Sequence, residues 1–219
     1  MSEHDYEAIR GLPSDLPANE KVIWQGAPDA WRLACSAFHI RAVAAYFAAM
    51  LAVRVATAVS DGQLLGPVLA QTVSALPVAA EALAMLAGLA WLYARTTVYT
   101  ITSRRVVVRF GVALPKAVNL PFSQIEGASV KRIGDGGGDV AVRLKAPNKI
   151  AFMHLWPNAR PWALSSPEPA LRALKEVEPA ASALISAMRE FAPIEVAATS
   201  TSTQRPAGVK PARPEAAAA

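Results

Sequence analysis

The chain has very little of the chemistry that enzymes and metalloproteins commonly use. Its 219 residues include one cysteine, Cys35, and three histidines. A single cysteine cannot form a disulfide within the chain, and without a partner at ligand spacing it cannot form a zinc site, which agrees with a reducing compartment. His4, His39 and His154 are scattered, with no carboxylate or cysteine at ligand spacing. The sequence therefore predicts no metal site.

Catalytic motifs are also missing. No Ser-His-Asp or Cys-His arrangement can be drawn, and carboxylates are sparse in the strand-rich part of the chain. The glycines between Gly134 and Gly138 are not followed by Lys-Ser or Lys-Thr, nor by a helix whose N-terminus could hold a phosphate. We interpret them as a flexible hairpin tip, and we predict neither an enzyme nor a bound cofactor.

Charge is nearly absent from one long stretch. No Lys or Arg occurs between Val55 and Ala94. Residues 38–59 would form a helix of about 33 Å, which is close to the thickness of the hydrocarbon layer of a bilayer. A second span is predicted at about 73–92, with Pro77 in its first turn, where a missing N–H costs least. A buried hairpin in a soluble all-α domain would need other helices to cover it, so we predict a transmembrane hairpin over 37–94.

Lys and Arg flank this hairpin on one side only. Arg32 precedes it, Arg41 lies at the start of its first helix and Arg95 follows it, whereas the connection between its helices has Asp61 as its only charge. Because positive residues remain on the cytoplasmic side, we expect a two-pass membrane protein with both termini in the cytoplasm.

Besides Arg41, which lies near the inner surface, two charged residues lie deeper inside the predicted spans. Arg54 would lie about 8 Å from the outer end of the first helix, and Glu81 about 12 Å into the second. Either charge alone in lipid would cost about 2.5 kcal/mol or more. We expect an Arg54–Glu81 ion pair that fixes the register of the helices, or contact of one or both with a helix of a partner protein.

The other residues predict one soluble domain, formed by 20–36 and 95–192 together. A flexible lead (1–19) precedes it, and a disordered tail (193–219) follows. Strands are predicted at 20–26, 95–101, 106–110, 118–120, 127–132, 140–144 and 150–155, and an amphipathic helix from Pro169 with a break at Pro179. The predicted fold is an α+β membrane protein, with the hairpin inserted into a small antiparallel β sandwich or barrel that the C-terminal amphipathic helix closes.

Positive charge is concentrated directly after the hairpin. Residues 95–155 contain ten Lys and Arg against three Asp and Glu. A tethered surface of this sign would attract anionic lipid headgroups or a protein partner, although solvated strand edges and turns are the simpler interpretation. No nucleic-acid motif is present. The candidate surface consists of Arg104, Arg105, Arg109, Lys131 and Arg132, with Lys145 and Lys149 nearby in the sequence.

Two stretches resemble the bacterial pleckstrin-homology-like (PH-like) domains of membrane proteins. They are residues 20–28 (EKVIWQGAP) and residues 99–112 (YTITSRRVVVRFGV). Over roughly residues 16–192 the chain is also similar to the photosynthetic complex assembly proteins of purple bacteria. That narrower resemblance depends on residues 118–128 (VNLPFSQIEGA), 135–140 (DGGGDV) and 156–161 (WPNARP).

The resemblance implies a non-catalytic factor in the bacterial inner membrane. Such a factor would assist assembly of the photosynthetic reaction centre with its core light-harvesting antenna, through transient binding to their subunits. An alternative is a membrane-tethered module that reads anionic lipid headgroups and is unrelated to photosynthesis. An enzyme or transporter for lipid or pigment precursors would need a polar constellation that the sequence lacks. Homo-oligomerisation is left open.

Overall fold

The strands form two antiparallel sheets on either side of one apolar core. The computed structural model describes residues 11–12, 16–147 and 150–203. The strands are β1 (Val22–Gly26), β2 (Val98–Thr102), β3 (Arg105–Phe110), β4 (Lys116–Pro121), β5 (Ile125–Ile133), β6 (Gly137–Leu144) and β7 (Ala170–Leu174). The helices are α1 (Ala30–Ser36), α2 (Ile40–Ser60), α3 (Leu65–Thr96), α4 (Phe152–Leu155) and α5 (Glu178–Thr203).

The first sheet has the strand order β1-β2-β3-β4, and the second has the order β5-β6-β7. Alternate apolar residues of both sheets, such as Val106, Leu120 and Val140, point into the shared core, and α5 covers it with Leu184. β1 precedes the helical hairpin and pairs with β2, which follows it. The hairpin is therefore an insertion within one domain. The α+β class with antiparallel sheets is confirmed, but over the described residues the sheets do not close into a barrel.

The hairpin consists of α2 and α3, two helices that are long and apolar enough to cross a membrane. Only 6% of the apolar window of α2 and 11% of that of α3 are buried within the protein, unlike the core helices of soluble proteins. The second helix begins at Leu65, so its predicted start near residue 73 is wrong, and Pro77 is its thirteenth residue. Pro67 occupies the first turn instead, where its missing N–H needs no intrahelical acceptor.

Two predicted elements after the hairpin are also wrong. Residues 150–155 were expected to form a strand, but Phe152–Leu155 form the one-turn helix α4. Ala170–Leu174 were assigned to the last helix, but they form β7, which pairs with β6. All five residues of β7 are buried. A strand buried on both faces lacks the polar-apolar alternation that would distinguish it from a helix.

The ends of the domain differ from the prediction as well. Pro179 is the second residue of α5 and marks its start rather than a break. Because α5 continues to Thr203, the first part of the predicted disordered tail is helical, and residues 204–219 lie outside the described residues. In the predicted flexible lead, Leu12 is buried and Gly11 lies against Val98. The other lead residues before it and residues 13–15 are outside the described part.

The glycine-rich segment is only partly a hairpin tip. Gly134 and Gly136 form the β5–β6 turn with positive φ, but Gly137 and Gly138 are buried residues of β6. A Cβ at Gly137 would collide with the guanidinium group of Arg32. These two positions therefore require glycine because neighbouring groups leave no room for a side chain, and not because the segment must be flexible.

Candidate functional site

A buried polar network and three packed aromatic rings lie at the junction between the hairpin and the sheets. We use the name junction for α1, the last turns of α3, β7 and residues 156–158. The helix α1, which the sequence did not reveal, begins where the Asp29 carboxylate accepts a hydrogen bond from the Arg32 backbone N–H at 2.9 Å. Leu33 of α1 then packs with Ala94 of α3 and Ala173 of β7. The small alanine side chains allow the three elements to approach closely.

Three aromatic rings close one side of the junction. Phe38 precedes α2, Tyr93 lies in the last turn of α3, and Trp156 follows α4. The Trp156 ring centroid lies 5.4 Å from that of Phe38 and 5.9 Å from that of Tyr93, both in edge-to-face geometry. Such pairs contribute about 0.5–1.5 kcal/mol each beyond the burial of their surface. The segment around Trp156 is thereby held against the base of the hairpin.

A buried arginine, Arg172 of β7, lies at the centre of the junction. It is 5% exposed and donates hydrogen bonds to the carbonyl oxygens of Pro157 at 3.1 Å and Ser36 at 2.9 Å. Its Nε lies 3.9 Å from Oδ2 of Asp139, whose Oδ1 accepts the Ala173 backbone N–H at 2.8 Å. Burial lowers the pKa of Arg172, and the Asp139 carboxylate opposes that shift. Because the ordinary pKa of arginine is the highest of any side chain, Arg172 remains a cation.

Tyr99 and Asn158 extend this network into the core. The Tyr99 hydroxyl donates to Oδ1 of Asn158 at 2.8 Å and accepts the Arg172 backbone N–H at 3.1 Å. Burial raises the pKa of Tyr99, so the hydroxyl stays protonated and can remain the donor. In the described structure the buried atoms Ser36 Oγ, Asn158 Nδ2 and Arg172 Nε have no hydrogen-bond partner. Since Ser36 ends α1, the network ties the entry to the hairpin to both sheets.

An open cleft of about 700 Å³ lies beside α1. Its charged lining consists of the cations Arg32, Arg41 and Lys175 and the carboxylates Asp29, Asp135 and Asp139. Arg32 pairs with Asp135, and this hydrogen-bonded ion pair lowers the pKa of the Asp135 carboxyl. Among the described residues, neither Arg41 nor Lys175 has an ion-pair partner.

The junction does not resemble a catalytic or metal centre. Among the described residues no group of three His, Cys, Asp or Glu side chains could hold a metal ion. The side chains of Arg172, Tyr99 and Asn158 are buried, and each makes at least one hydrogen bond within the network or to the backbone. Such an arrangement fixes the relative positions of helices and strands.

The structure does not bring Arg54 and Glu81 together. Arg54 donates to the side-chain oxygen of Gln71 at 2.8 Å. Arg54 and Gln71 each lie six residues, or about 9 Å, from the connected ends of α2 and α3, whereas Glu81 lies about 24 Å from that end. The predicted pairing fails because α3 begins earlier than expected. Glu81 is exposed on the hairpin, and it has no ion-pair partner in the described part of the chain.

The predicted basic residues do not form one surface. Arg104 and Arg105 lie at the β2–β3 turn, about 13 Å or more along β2 from the residue that follows α3. Arg105 is bound to the buried carboxylate of Glu20 at 2.7 Å. Arg109 lies opposite Val98 in the β2–β3 strand register, at the other end of β2 and next to the hairpin.

The other two predicted cations belong to the second sheet. Lys131 and Arg132 lie in β5 and are exposed. The guanidinium of Arg132 binds the Glu178 carboxylate at the start of α5. Three of the five residues therefore belong to the first sheet and two to the second. Within the first sheet, Arg104 and Arg105 lie at one end and Arg109 lies at the other.

Sequence reasoning missed the residues that form the junction. Arg172 lies in the segment ALRAL, which reads as one face of a helix with a single solvated cation. Asp139 directly follows the glycines that the sequence predicts as a hairpin tip, and Asn158 belongs to residues 156–161, whose only signal is the family resemblance. The signal that could have been used is the single charged residue, Arg172, in an apolar run of five. Because a buried charge without a partner is costly, such a residue indicates a buried partner elsewhere in the chain. The partners are distant in sequence, however, and could not be identified.

Comparisons with known proteins agree with this architecture. The sequence matches the family described as "Bacterial PH domain" over residues 51–184. It is similar to the "Uncharacterized 23.7 kDa protein in puhA 5'region" of Rhodobacter capsulatus, with 36% identity over 181 residues. That alignment covers 81% of this chain and 85% of the relative. No solved structure matches the chain.

Proposed function

The chain belongs to the bacterial PH domain family, and we propose that it is a membrane-anchored, non-catalytic assembly factor for the photosynthetic reaction centre and its core light-harvesting antenna. The observation that carries the proposal is the relative in the puhA 5′ region, because puhA is a reaction-centre gene and the alignment covers most of both chains. The factor acts by transient binding to subunits of the complex and uses no cofactor.

In this proposal the hairpin anchors the protein in the bacterial inner membrane. The exposed apolar surfaces of α2 and α3 would otherwise face water, which is a large liability for a soluble protein. The Lys and Arg at the domain side of the hairpin orient both termini toward the cytoplasm. The PH-like domain then lies on the side of the membrane where the hairpin begins and ends.

Glu81 is the residue through which the hairpin recognises a partner. It is exposed on α3, away from Arg54, which is occupied by Gln71. A carboxylate that faces lipid is costly, and a polar group on the helix of a partner subunit removes that cost. Nascent reaction-centre or antenna helices are the partners that this proposal names.

Deletion of the gene tests the proposed function. Near-infrared absorption of membranes from the deletion strain should show selective loss of the reaction-centre and core-antenna bands, while free pigment is still made. An unchanged spectrum would overturn the assembly role. Complementation with Glu81→Gln should leave protein abundance normal but fail to restore the bands, whereas Glu126→Gln, at an exposed carboxylate of β5, should restore them. Low abundance of the Glu81 variant would instead indicate that Glu81 stabilises the hairpin itself.

A further inference from the structure

We propose that the domain sits on the lipid bilayer through a rim of apolar side chains around the base of the hairpin. The rim consists of Trp31, Leu114, Met153, Trp162 and Leu164, which are 63%, 74%, 80%, 92% and 66% exposed. They come from four separate segments of the chain. The inference rests on the proposed insertion of the hairpin and adds a second contact with the membrane, made by the domain itself.

The segment that contains Met153 is fixed at the base of the hairpin. Met153 belongs to α4, which ends one residue before Trp156, and the Trp156 backbone N–H donates to the Phe152 carbonyl at 3.0 Å, which ties Trp156 to this short helix. The Trp156 ring contacts Phe38, two residues before α2, and Tyr93, three residues before the end of α3. Met153 is thus held beside the point where both helices leave the domain.

The β3–β4 turn lies at the same end of the first sheet. Val98 begins β2 two residues after α3 and pairs with Arg109 near the end of β3. The chain then continues past Phe110 into the turn that contains Leu114. Because α3 also contacts β3, this turn is directed toward the hairpin and not toward the distant end of the sheet.

Trp31 and Trp162 lie beside the second sheet, Trp31 in α1 and Trp162 at a cleft that Asp139 of the junction network also lines. Trp31 belongs to α1, which packs against α3 and contacts β7. Trp162 lines a cleft with Lys131 of β5 and Ala170 of β7. Ala170 lies in the same strand as Ala173, which meets α1, so the loop containing Trp162 and Leu164 lies beside the junction.

A bilayer surface is the occupant that these residues fit. Tryptophan prefers the headgroup level of a membrane, where its ring is half in hydrocarbon and its N–H stays wet. Interfacial elements bury their apolar faces about 5–10 Å into the boundary between headgroups and acyl chains. Arg41 is exposed in the first turn of α2, and Arg95 lies 5.0 Å from the Trp91 ring centroid in the last turns of α3, so cations lie at the level of anionic headgroups.

Depth-dependent fluorescence quenching tests the proposal on the full chain. In a Cys35→Ala background, single cysteines are introduced by Met153→Cys, Trp162→Cys or Leu114→Cys and labelled with an environment-sensitive dye. The protein is reconstituted alone into nanodiscs of phosphatidylcholine and phosphatidylglycerol, with nitroxide lipids at shallow or deep positions. Because no other protein is present, quenching by nitroxide lipid reports contact with lipid and not with a partner subunit.

Two control positions make the outcomes distinct. Val53→Cys lies on the exposed surface of α2 and should be quenched by deep nitroxide, and Arg104→Cys lies at the far end of the first sheet and should not be quenched. Dyes at the three rim positions should emit at shorter wavelength than the dye at Arg104→Cys. They should also be quenched by the shallow nitroxide lipid. Quenching at Val53 without quenching at the rim would overturn the rim and leave the anchor intact. No quenching at Val53 would overturn the membrane anchor and the rim together.

Discussion

Replacement of Arg172 by methionine removes a buried cation that joins the end of α1 to the second sheet and to Pro157. The change deletes hydrogen bonds of 3.1 Å to Pro157 and 2.9 Å to Ser36, and it leaves the Asp139 carboxylate buried without its counter-ion. Loss of one partner from a buried pair costs about 3–5 kcal/mol. Asp139 keeps its hydrogen bond from the Ala173 N–H, so we expect the lower end, about 3 kcal/mol.

Two measurements separate this effect from general damage. Denaturant unfolding in detergent micelles gives the free energy of unfolding, and amide hydrogen exchange shows where protection is lost. Exchange should rise first over residues 30–38, because the Ser36 carbonyl loses its donor. A second change, Asp139→Asn, removes the buried charge but keeps an acceptor for Ala173, and it should restore part of the loss. Arg132→Met, at an exposed ion pair, is the matched control and should change neither quantity measurably.

The reasoning would be refuted by a methionine variant whose stability is within about 0.5 kcal/mol of the parent and whose exchange over residues 30–38 is unchanged. That result would mean that the apolar packing of Leu33 and Ala94 holds α1 in place without help from the cation. It would also make the buried hydrogen bonds of Arg172 a consequence of packing rather than a cause of it.

Two further predictions concern the same region. Burial opposes ionisation of Glu168, but hydrogen bonds from two arginines outweigh it and hold the pKa of Glu168 below the ordinary 4.5. The ionised carboxylate therefore stabilises the folded protein above that pH. This stabilisation is lost as the pH falls through the lowered pKa. Amide exchange over residues 159–169 should rise in this range, and Glu168→Gln should abolish the pH dependence. Gly137→Ala places a Cβ against the Arg32 guanidinium and should lower the free energy of unfolding by about 1–3 kcal/mol, whereas Gly127→Ala, with open space around it, should be far milder. Denaturant unfolding in micelles compares the two.

β-Branched composition and turn residues were sufficient for β2 and β3, although all five residues of β2 and four of the six in β3 are buried. β2 and β3 are Thr- and Val-rich runs joined by a polar turn, and Gly111 ends the second, as the sequence predicted. The two apolar helices were equally clear, because residues 42–53 and 62–80 contain no charged residue at all. These elements are determined by neighbours in the sequence, so the sequence alone identifies them.

Elements determined by distant contacts were missed. β7 is a strand because β6 accepts it as a third member of the sheet, and its own residues Ala170–Leu174 would suit a buried helix as well. α1 has seven residues, too few to show a period, and it is stabilised by packing on α3. The junction is built from these missed elements, so its central Arg172 was missed with them.

Distance along the chain from a membrane helix is a poor guide to distance from the membrane. Each residue of a strand lies about 3.3 Å further along it, and the next strand of a β-hairpin runs back in the opposite direction. Arg109 of β3 therefore lies beside Val98, whereas Arg104 lies at the far end of the sheet. That end is about 13 Å or more from the hairpin along β2, beyond the Debye length of about 8 Å at physiological ionic strength. If the hairpin spans the membrane as proposed and β2 runs away from it, attraction between Arg104 and anionic lipid is largely screened. In that arrangement we expect contact of the domain with the bilayer at the hairpin end, where the proposed apolar rim also lies.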